Sequence, residues 1–348
     1  MKFDLSEDQS LLRQSTRDFL AGEWPIEKAR KVMEESGHDP GAWSRLAEMG
    51  YIGLTLPEAV GGQGLGAIEL AIVLEEFGRS CVPGPYLDVV AAASLLSAAG
   101  KQDALLKDIC AGRKLVTTAR ADAVFPGDNA GSMQVAGGRI QGTKFFVPFA
   151  AQVDALVATA ANGLHLVQGP FESTPMPTFD LTQRFGKVEL NHAVTALGPT
   201  NLLERADQLA SVGAAAMLLG IMSRCMDLTL EYVQTRRAFN RPIGSFQALQ
   251  HRLADMLLKT ESSRSAVYRA AWCYDAKESD AGLAAASAKA YAGDASRLVC
   301  GEAIQMHGGI GFTWELDVHF YFKRAKSLEQ NYGSTEEQLE RALVASRV

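Results

Sequence analysis

Two stretches of the chain set specific polar residues into otherwise apolar, helix-patterned sequence. The first, TRRAFNRPIGSFQALQHRLADM at 235–256, brings adjacent Arg236 and Arg237, then Phe239, Pro242 and Gln247, to a turn that interrupts one helix and opens the next. A guanidinium is a forked donor suited to a diphosphate, a phenyl face stacks on a flat ring, and a carboxamide both donates and accepts. The same residues also suit an ordinary helix end with Arg237 and Arg241 on a solvated face. The second stretch, AIQMHGGIGFTWE at 303–315, places Gln305 ahead of Gly308, Gly309 and Gly311. Such glycines let backbone N–H groups approach a ligand closely, and equally serve as a helix C-cap followed by a turn.

Other chemistries lack their residues. Six histidines (His38, His165, His192, His251, His307, His319) are scattered without HExxH or clustered carboxylates, so no metal site is expected. There is no GxSxG elbow for a hydrolase. The glycine-rich loop YIGLTLPEAVGGQGLG at 51–66 follows no clear strand and lacks a Lys-Ser/Thr pair, which excludes a P-loop, and no GxGxxG marks a dinucleotide fold. The five cysteines (Cys81, Cys110, Cys225, Cys273, Cys300) are odd in number and far apart, as reduced buried thiols would be.

The elements that must position the two stretches follow from composition and periodicity. With 348 residues, 47% hydrophobic and 21% charged, the chain is a folded globular protein of two or three domains or one multilayer fold. A net charge of −6 without a Lys/Arg run argues against a nucleic-acid partner or an anionic membrane. No leader pattern and no spanning window of about 18 uncharged apolar residues is read, so no membrane and a cytoplasmic address are expected. Residues 1–113 read as an N-terminal helical domain that opens with a Ser6/Gln9 capping box and continues through a helix at 43–49 and another after the glycine-rich loop. Short β-branched runs between Gly, Asn, Asp and Pro at 114–198 read as a small antiparallel β domain. Residues 199–348 return to long apolar-striped helices, a bundle with faces for other subunits. The fold class is therefore α+β, mostly α: a helical domain, a middle β-barrel or sandwich, and a C-terminal four-helix bundle.

The order and spacing of these motifs resemble the acyl-CoA dehydrogenase family. Its pattern RxxFGxxIxxFQxxQxxLADM, an AK segment, QxHGGxGxT and a final RDAK stretch are similar to RRAFNRPIGSFQALQHRLADM, ASAKAYAGDASR, IQMHGGIGFTWE and KRAKSLEQNYGST, while GYIGLTLPEAVGGQGLGAIELAIVLEEFGR is similar to its helical domain. The resemblance implies α,β-dehydrogenation of an acyl-CoA thioester, a carboxylate removing the α proton and the flavin N5 of FAD taking the β hydride. It places residues that hold the FAD diphosphate and adenosine across a subunit interface at Arg236, Phe239, Gln247, Gln305, Gly308 and Gly309, and so implies an oligomer. It also implies an electron-transferring flavoprotein as acceptor.

Two departures stand beside this match. The family's base, a Glu before the Gly-Ser/Thr of the last stretch, falls on Tyr332; the alternative Glu of a second subgroup, 26 residues before Arg236, falls on Ala210. A phenol with a pKa near 10 is a poor base at neutral pH. Asp207, Glu329 and Glu336 are the nearby carboxylates. In the β domain, the family's Thr-Glu-Pro flavin platform becomes Thr118, Ala119 and Arg120 within TTARADAVFPGDNAG, and GxKxWITN becomes GTKFFVPF, with Phe146 at the ring-stacking Trp and Pro148 at the Thr that contacts N5. The pattern, with GRSCVPGPY at 78–86, resembles the smaller subunit of heteromeric (α2β2) acyl-CoA dehydrogenases such as those of steroid side-chain degradation, in which a paralogous partner supplies base and flavin pocket. Two other readings stay open: a homo-oligomeric dehydrogenase with a displaced carboxylate such as Glu329 or Asp207, and a flavin-free acyl-CoA-binding protein.

Overall fold

The computed structural model describes residues 4–124 and 133–346. In sequence order the elements are helices through Cys110, strands from Val116 to Gly198, and helices from Leu202 onward. These pack into two compact units built from non-contiguous pieces: Met1–Ala29, Gly66–Val82 and Ser211–Val348 form one, and Arg30–Leu65 with Pro83–Ala210 the other.

The second unit holds helices α2 (Ile26–Glu34, which begins just before it), α3 (Pro40–Glu48), α5 (Tyr86–Ala99) and α6 (Asp103–Cys110), and strands β1 (Val116–Ala119), β2 (Val135–Ala136), β3 (Arg139–Pro148), β4 (Ala155–Ala160), β5 (Gly163–Gln168), β6 (Glu172–Met176) and β7 (Phe185–Gly198). Helix α5 is apolar nearly all round and almost wholly buried, as a core helix must be; it lies against β1, and the Tyr86 hydroxyl donates to the Tyr51 carbonyl at 2.8 Å. The strands run β1-β4-β5-β7-β3-β2, with β6 added beside β7. That order ends on β1 and β2 with no closed ladder among the described residues, so of the expected barrel or sandwich the continuous barrel is not formed, although the Phe145 N–H of β3 donates to the Ala121 carbonyl just past β1 at 2.9 Å. Strand β7 pairs with β3 over 185–193 and with β5 over 194–198, a strand shared between two halves. The expectation of a purely antiparallel domain is also corrected: β1 runs parallel to β4. Ile140, Val147, Phe149, Leu156, Val167, Val188 and Leu190 close the core of this sheet.

The first unit holds α1 (Glu7–Glu23), α4 (Ala67–Arg79) and the C-terminal bundle: most of α7 (Leu202–Thr235), then α8 (Gln247–Ala276), α9 (Ala281–His307) and α10 (Val318–Gln330), with α11 (Thr335–Ala345) packed on α9. Ser6 and Gln9 form both bonds of the expected capping box at the start of α1. The α4–α7 crossing is so close that a Cβ on Gly220 would sit 1.8 Å from the Glu75 carbonyl oxygen, and one on Gly78 2.0 Å from that of Met217; only glycine fits either place. Beside this crossing Glu75 accepts from Arg13, Arg264 and the Tyr268 hydroxyl, so its buried charge is fully partnered. Helix α7 corrects the expectation of no spanning window, since it is long and apolar enough to cross a membrane by length and composition; 89% of its most apolar window is buried here, which makes it the core of the bundle. All five cysteines are buried and free, with the Cys225 and Cys300 sulfurs 3.7 Å apart between α7 and α9.

Candidate functional site

The two motifs that sequence spacing singled out meet at one end of the bundle. Helix α7 stops at Thr235, and the Arg236 N–H still donates to the Tyr232 carbonyl at 2.8 Å before the chain enters a hairpin of β8 (Arg237–Ala238) and β9 (Arg241–Pro242). Its central residues Phe239 and Asn240 have φ of 50° and 64°, the doubly left-handed pattern of a tight two-residue hairpin turn. Asparagine tolerates that region where the family pattern has Gly; phenylalanine does so at a cost of about 1 kcal/mol. Arg241 caps the Phe246 ring at 4.0 Å, and Gln247 opens α8.

Helix α9 ends at His307. Its C-cap Gly308 lies at φ 66°, ψ −146°, open only to glycine. A ring stack joins the two ends: Tyr232 and His307 lie 4.4 Å apart at 29°, and the Tyr232 hydroxyl donates to the His307 carbonyl at 3.4 Å. In consequence Arg236, Phe239 and Gln247 share one end of the bundle with Gln305, Gly308 and Gly309, and all six are exposed.

That surface fits the ADP half of FAD. A Cβ built on Gly308 or Gly309 meets nothing within 4 Å, so nothing inside the chain requires Gly309 to lack a side chain, whereas a Cβ on Gly311 would lie 2.7 Å from the Ile304 carbonyl oxygen. Glycine backbone with open space in place of a Cβ, an exposed guanidinium, two carboxamides and a phenyl ring 89% exposed are the group types that a diphosphate and a flat ring would call for.

The flavin-ring side does not fit in the same way. Thr118 and Ala119 lie on β1, and the next residue, Arg120, extends its guanidinium to Asp207 on α7 at 2.5 Å. The Arg120 carbonyl accepts from the buried Lys144 ammonium at 3.3 Å and from the Thr159 hydroxyl at 3.1 Å. Burial lowers the Lys144 pKa, with Asp122 at 2.5 Å opposing. Phe146 sits at φ 52° where β3 shifts register, and Pro148, which has no N–H, accepts from the Thr117 hydroxyl at 3.0 Å. The remainder of the platform stretch, 125–132, lies outside the described residues.

Neither base position carries a carboxylate, and two of the three nearby acids, Asp207 and Glu329, are engaged. Ala210 is buried in α7. Tyr332 occupies the α10–α11 turn at φ 61°. Gln338 donates to the Tyr332 carbonyl at 2.6 Å and to the Ser211 hydroxyl at 3.1 Å, and so joins this turn to the residue that follows Ala210. The Lys289 ammonium, buried, donates to the Glu329 carbonyl at 2.7 Å and the Gly333 carbonyl at 2.6 Å. Glu329 is buried too; its carboxylate accepts from the Thr335 N–H and the Gln330 amide. Burial pushes its pKa up, but the Thr335 and Gln330 hydrogen bonds and the Lys326 charge outweigh that and hold it below the usual carboxylate value. Asp207 is held by Arg120, and Glu336 is exposed in the first turn of α11. Sequence reasoning missed Tyr232, Lys289 and Gln338; only the AK of the family pattern touched one of them.

Comparison with known proteins gives the family and the fold. Residues 6–112 match the acyl-CoA dehydrogenase N-terminal domain and 208–347 the C-terminal domain. The acyl-CoA dehydrogenase IpdE2 of Mycolicibacterium smegmatis is 36% identical over 97% of this chain and 98% of its own length. Among solved structures, the Tcur3481-Tcur3483 steroid ACAD variant superposes with a TM-score of 0.89 at 29% identity, covering 98% of both chains. The ChsE4-ChsE5 complex from Mycobacterium tuberculosis does so with 0.89 at 28%, covering 100% of this chain and 99% of that one. The chain belongs to the acyl-CoA dehydrogenase family, FAD-dependent flavoprotein oxidoreductases that act on acyl-CoA.

Proposed function

We propose that this chain is one subunit of a heteromeric acyl-CoA dehydrogenase: it lends nucleotide-facing residues to FAD across a subunit interface, while a paralogous partner supplies the flavin pocket and the base. The observation that carries the reading is an asymmetry. All six residues of the nucleotide-facing set are retained on one exposed surface, whereas Ala210 and Tyr332 hold both base positions and Asp207 and Glu329 are already committed to other groups.

When bound, FAD supplies the hydride acceptor of α,β-dehydrogenation. For their part, Arg236 balances diphosphate charge, the amides of Gln247 and Gln305 bond to it or to the sugar, the Gly308–Gly309 backbone allows close approach, and Phe239 offers a ring face. Exposed Leu257 and Leu258 on α8, Leu298 on α9, and Phe312 and Trp314 beyond Gly309 form the kind of surface another chain covers. The acyl group we assign is that of a steroid-derived or comparably bulky thioester, supported by the relatives described as a steroid ACAD and as a two-protein complex. The acceptor we assign is an electron-transferring flavoprotein. Asp207 and Glu329, the carboxylates on which a homo-oligomer with a displaced base would draw, are already bonded to Arg120 and to Thr335 and Gln330.

The test is the visible spectrum of the chain purified alone and with its candidate partner. No flavin alone and about one FAD per unlike pair support the reading, and Arg236→Ala should strip FAD from the pair. About one FAD per chain in the protein purified alone overturns it.

A further inference from the structure

We propose that the Tyr232–His307 stack is the positioning element that sets the two halves of the nucleotide-facing surface in register; the inference rests on the function proposed above. The residues assigned to the nucleotide come from segments about 60–70 positions apart, Arg236 to Gln247 on one side and Gln305 to Gly309 on the other. The six residues assigned to the nucleotide are themselves exposed, so the register of the two segments is set by the residues behind them.

The stack reaches both at short leverage. Tyr232 is one turn before Arg236 and its carbonyl accepts the Arg236 N–H at 2.8 Å; the Arg236 carbonyl in turn accepts the Ile243 N–H at 2.8 Å and closes the hairpin. His307 directly precedes Gly308, so its orientation is that of the glycine pair. The ring cannot swing freely: Nδ1 lies 2.7 Å from the Ala303 carbonyl, and because a carbonyl only accepts, Nδ1 must carry the proton. The ring is therefore fixed from one side by its own helix and from the other by the Tyr232 face at 4.4 Å, while the Tyr232 hydroxyl spans to the His307 carbonyl. Neither residue needs to touch the nucleotide. Their role is to keep the guanidinium and the glycine backbone at one separation, the condition for two segments to hold one diphosphate together.

The test uses the complex of this chain with its partner, stripped of FAD and titrated with FAD and, separately, with ADP. Tyr232→Ala removes the stack and should weaken both ligands by about the same factor, roughly ten-fold from the worth of one aromatic pair. Tyr232→Phe keeps the ring face and should bind within about two-fold of the parent; His307→Phe should likewise retain most of the affinity that His307→Ala loses. Should Tyr232→Ala fail to fold, Tyr232→Leu, which fills the volume without a ring face, is read in its place. A merely structural loss would lower complex stability without separating the Phe from the Ala variants in ADP affinity. Arg236→Ala distinguishes the failures. If it weakens FAD while Tyr232→Ala does not, the positioning role is overturned; if Arg236→Ala itself has no effect, the proposed function falls first.

Discussion

Lys289 is the most informative single perturbation, because its charge and its hydrogen bonds act in opposite directions. Its ammonium is fully buried in α9 and donates to the Glu329 and Gly333 carbonyls. Burial lowers its pKa from the ordinary 10.5 to about 8, the charges of Glu329 and Glu337 opposing that and Arg341 adding to it. Below pH 8 the folded protein therefore carries a charge that the unfolded chain would hold more cheaply, at a cost of about 3 kcal/mol. Above pH 10.5 both states are neutral and that cost is gone. Between the two the unfolded chain binds more protons, so the contribution of Lys289 to stability rises with pH. Lys289→Met removes the charge cost but leaves two buried carbonyls without a donor, about 1–3 kcal/mol each. Near neutral pH the terms nearly offset, and we expect the variant to be destabilised by only about 0–3 kcal/mol. From pH 7.5 to pH 10 the deficit should widen by roughly 2 kcal/mol, the part of the titration falling in that window. Urea unfolding of both proteins at the two pH values measures it, since other titrating groups cancel in the difference. A deficit that stays flat or narrows as pH rises would refute this account of the turn that carries Tyr332.

Three further outcomes follow from the same geometry. Gly309→Ala should leave the melting temperature of the chain within about a degree yet weaken FAD binding by the complex, because the added Cβ meets only open space; Gly311→Ala, whose Cβ would crowd the Ile304 carbonyl, should instead destabilise by about 2 kcal/mol or more. Glu329→Gln should leave kcat of the complex within about three-fold while lowering stability by about 1 kcal/mol through its bond to the Thr335 N–H, and a loss of several orders of magnitude in kcat would make Glu329 the base after all. Glu75→Gln should destabilise by about 3 kcal/mol, since it strands Arg13 and Arg264 beside the α4–α7 crossing, which chemical denaturation would register.

What could be read in the sequence was what is written locally. The Ser6/Gln9 box, the break between α7 and α8, and the glycine that ends α9 each depend on residues within a few positions of one another. Helix α2 went unread because its nine residues bury only a short apolar stripe of Ala29, Val32 and Met33 after Pro25. The parallel β1–β4 pairing is a relation between strands nearly 40 residues apart, and backbone pairing direction leaves no mark in side-chain alternation. The site was half legible for the same reason. Arg236 and Gly308 stand in compact motifs, but Lys289 acts on carbonyls 40 and 44 residues away, and a carbonyl has no residue type to betray it. Arg120, read as a departure in the flavin platform, and Asp207, read as a nearby carboxylate, lie 87 positions apart, and only the fold pairs them.

The retained half of the pattern is also the half that this chain's own folding does not demand. Phe239 holds a left-handed φ that a glycine would take without cost, and it does so with its ring in water, so both its backbone and its side chain would be better served by another residue in an isolated subunit. Gly309 faces open space in which an alanine would fit and would lower the entropy of the unfolded chain. Against these, the departures fall where the chain has found internal partners: Arg120 with Asp207, Pro148 with Thr117, and the Tyr332 turn with Gln338 and Lys289. Residues that satisfy one another replace those that would face a flavin ring, while Phe239 and Gly309, whose exposed ring and open Cβ space this chain does not itself use, stand where the proposed nucleotide of another subunit would need them. That division is what the proposed heteromeric subunit, with its binding surface completed from outside, requires.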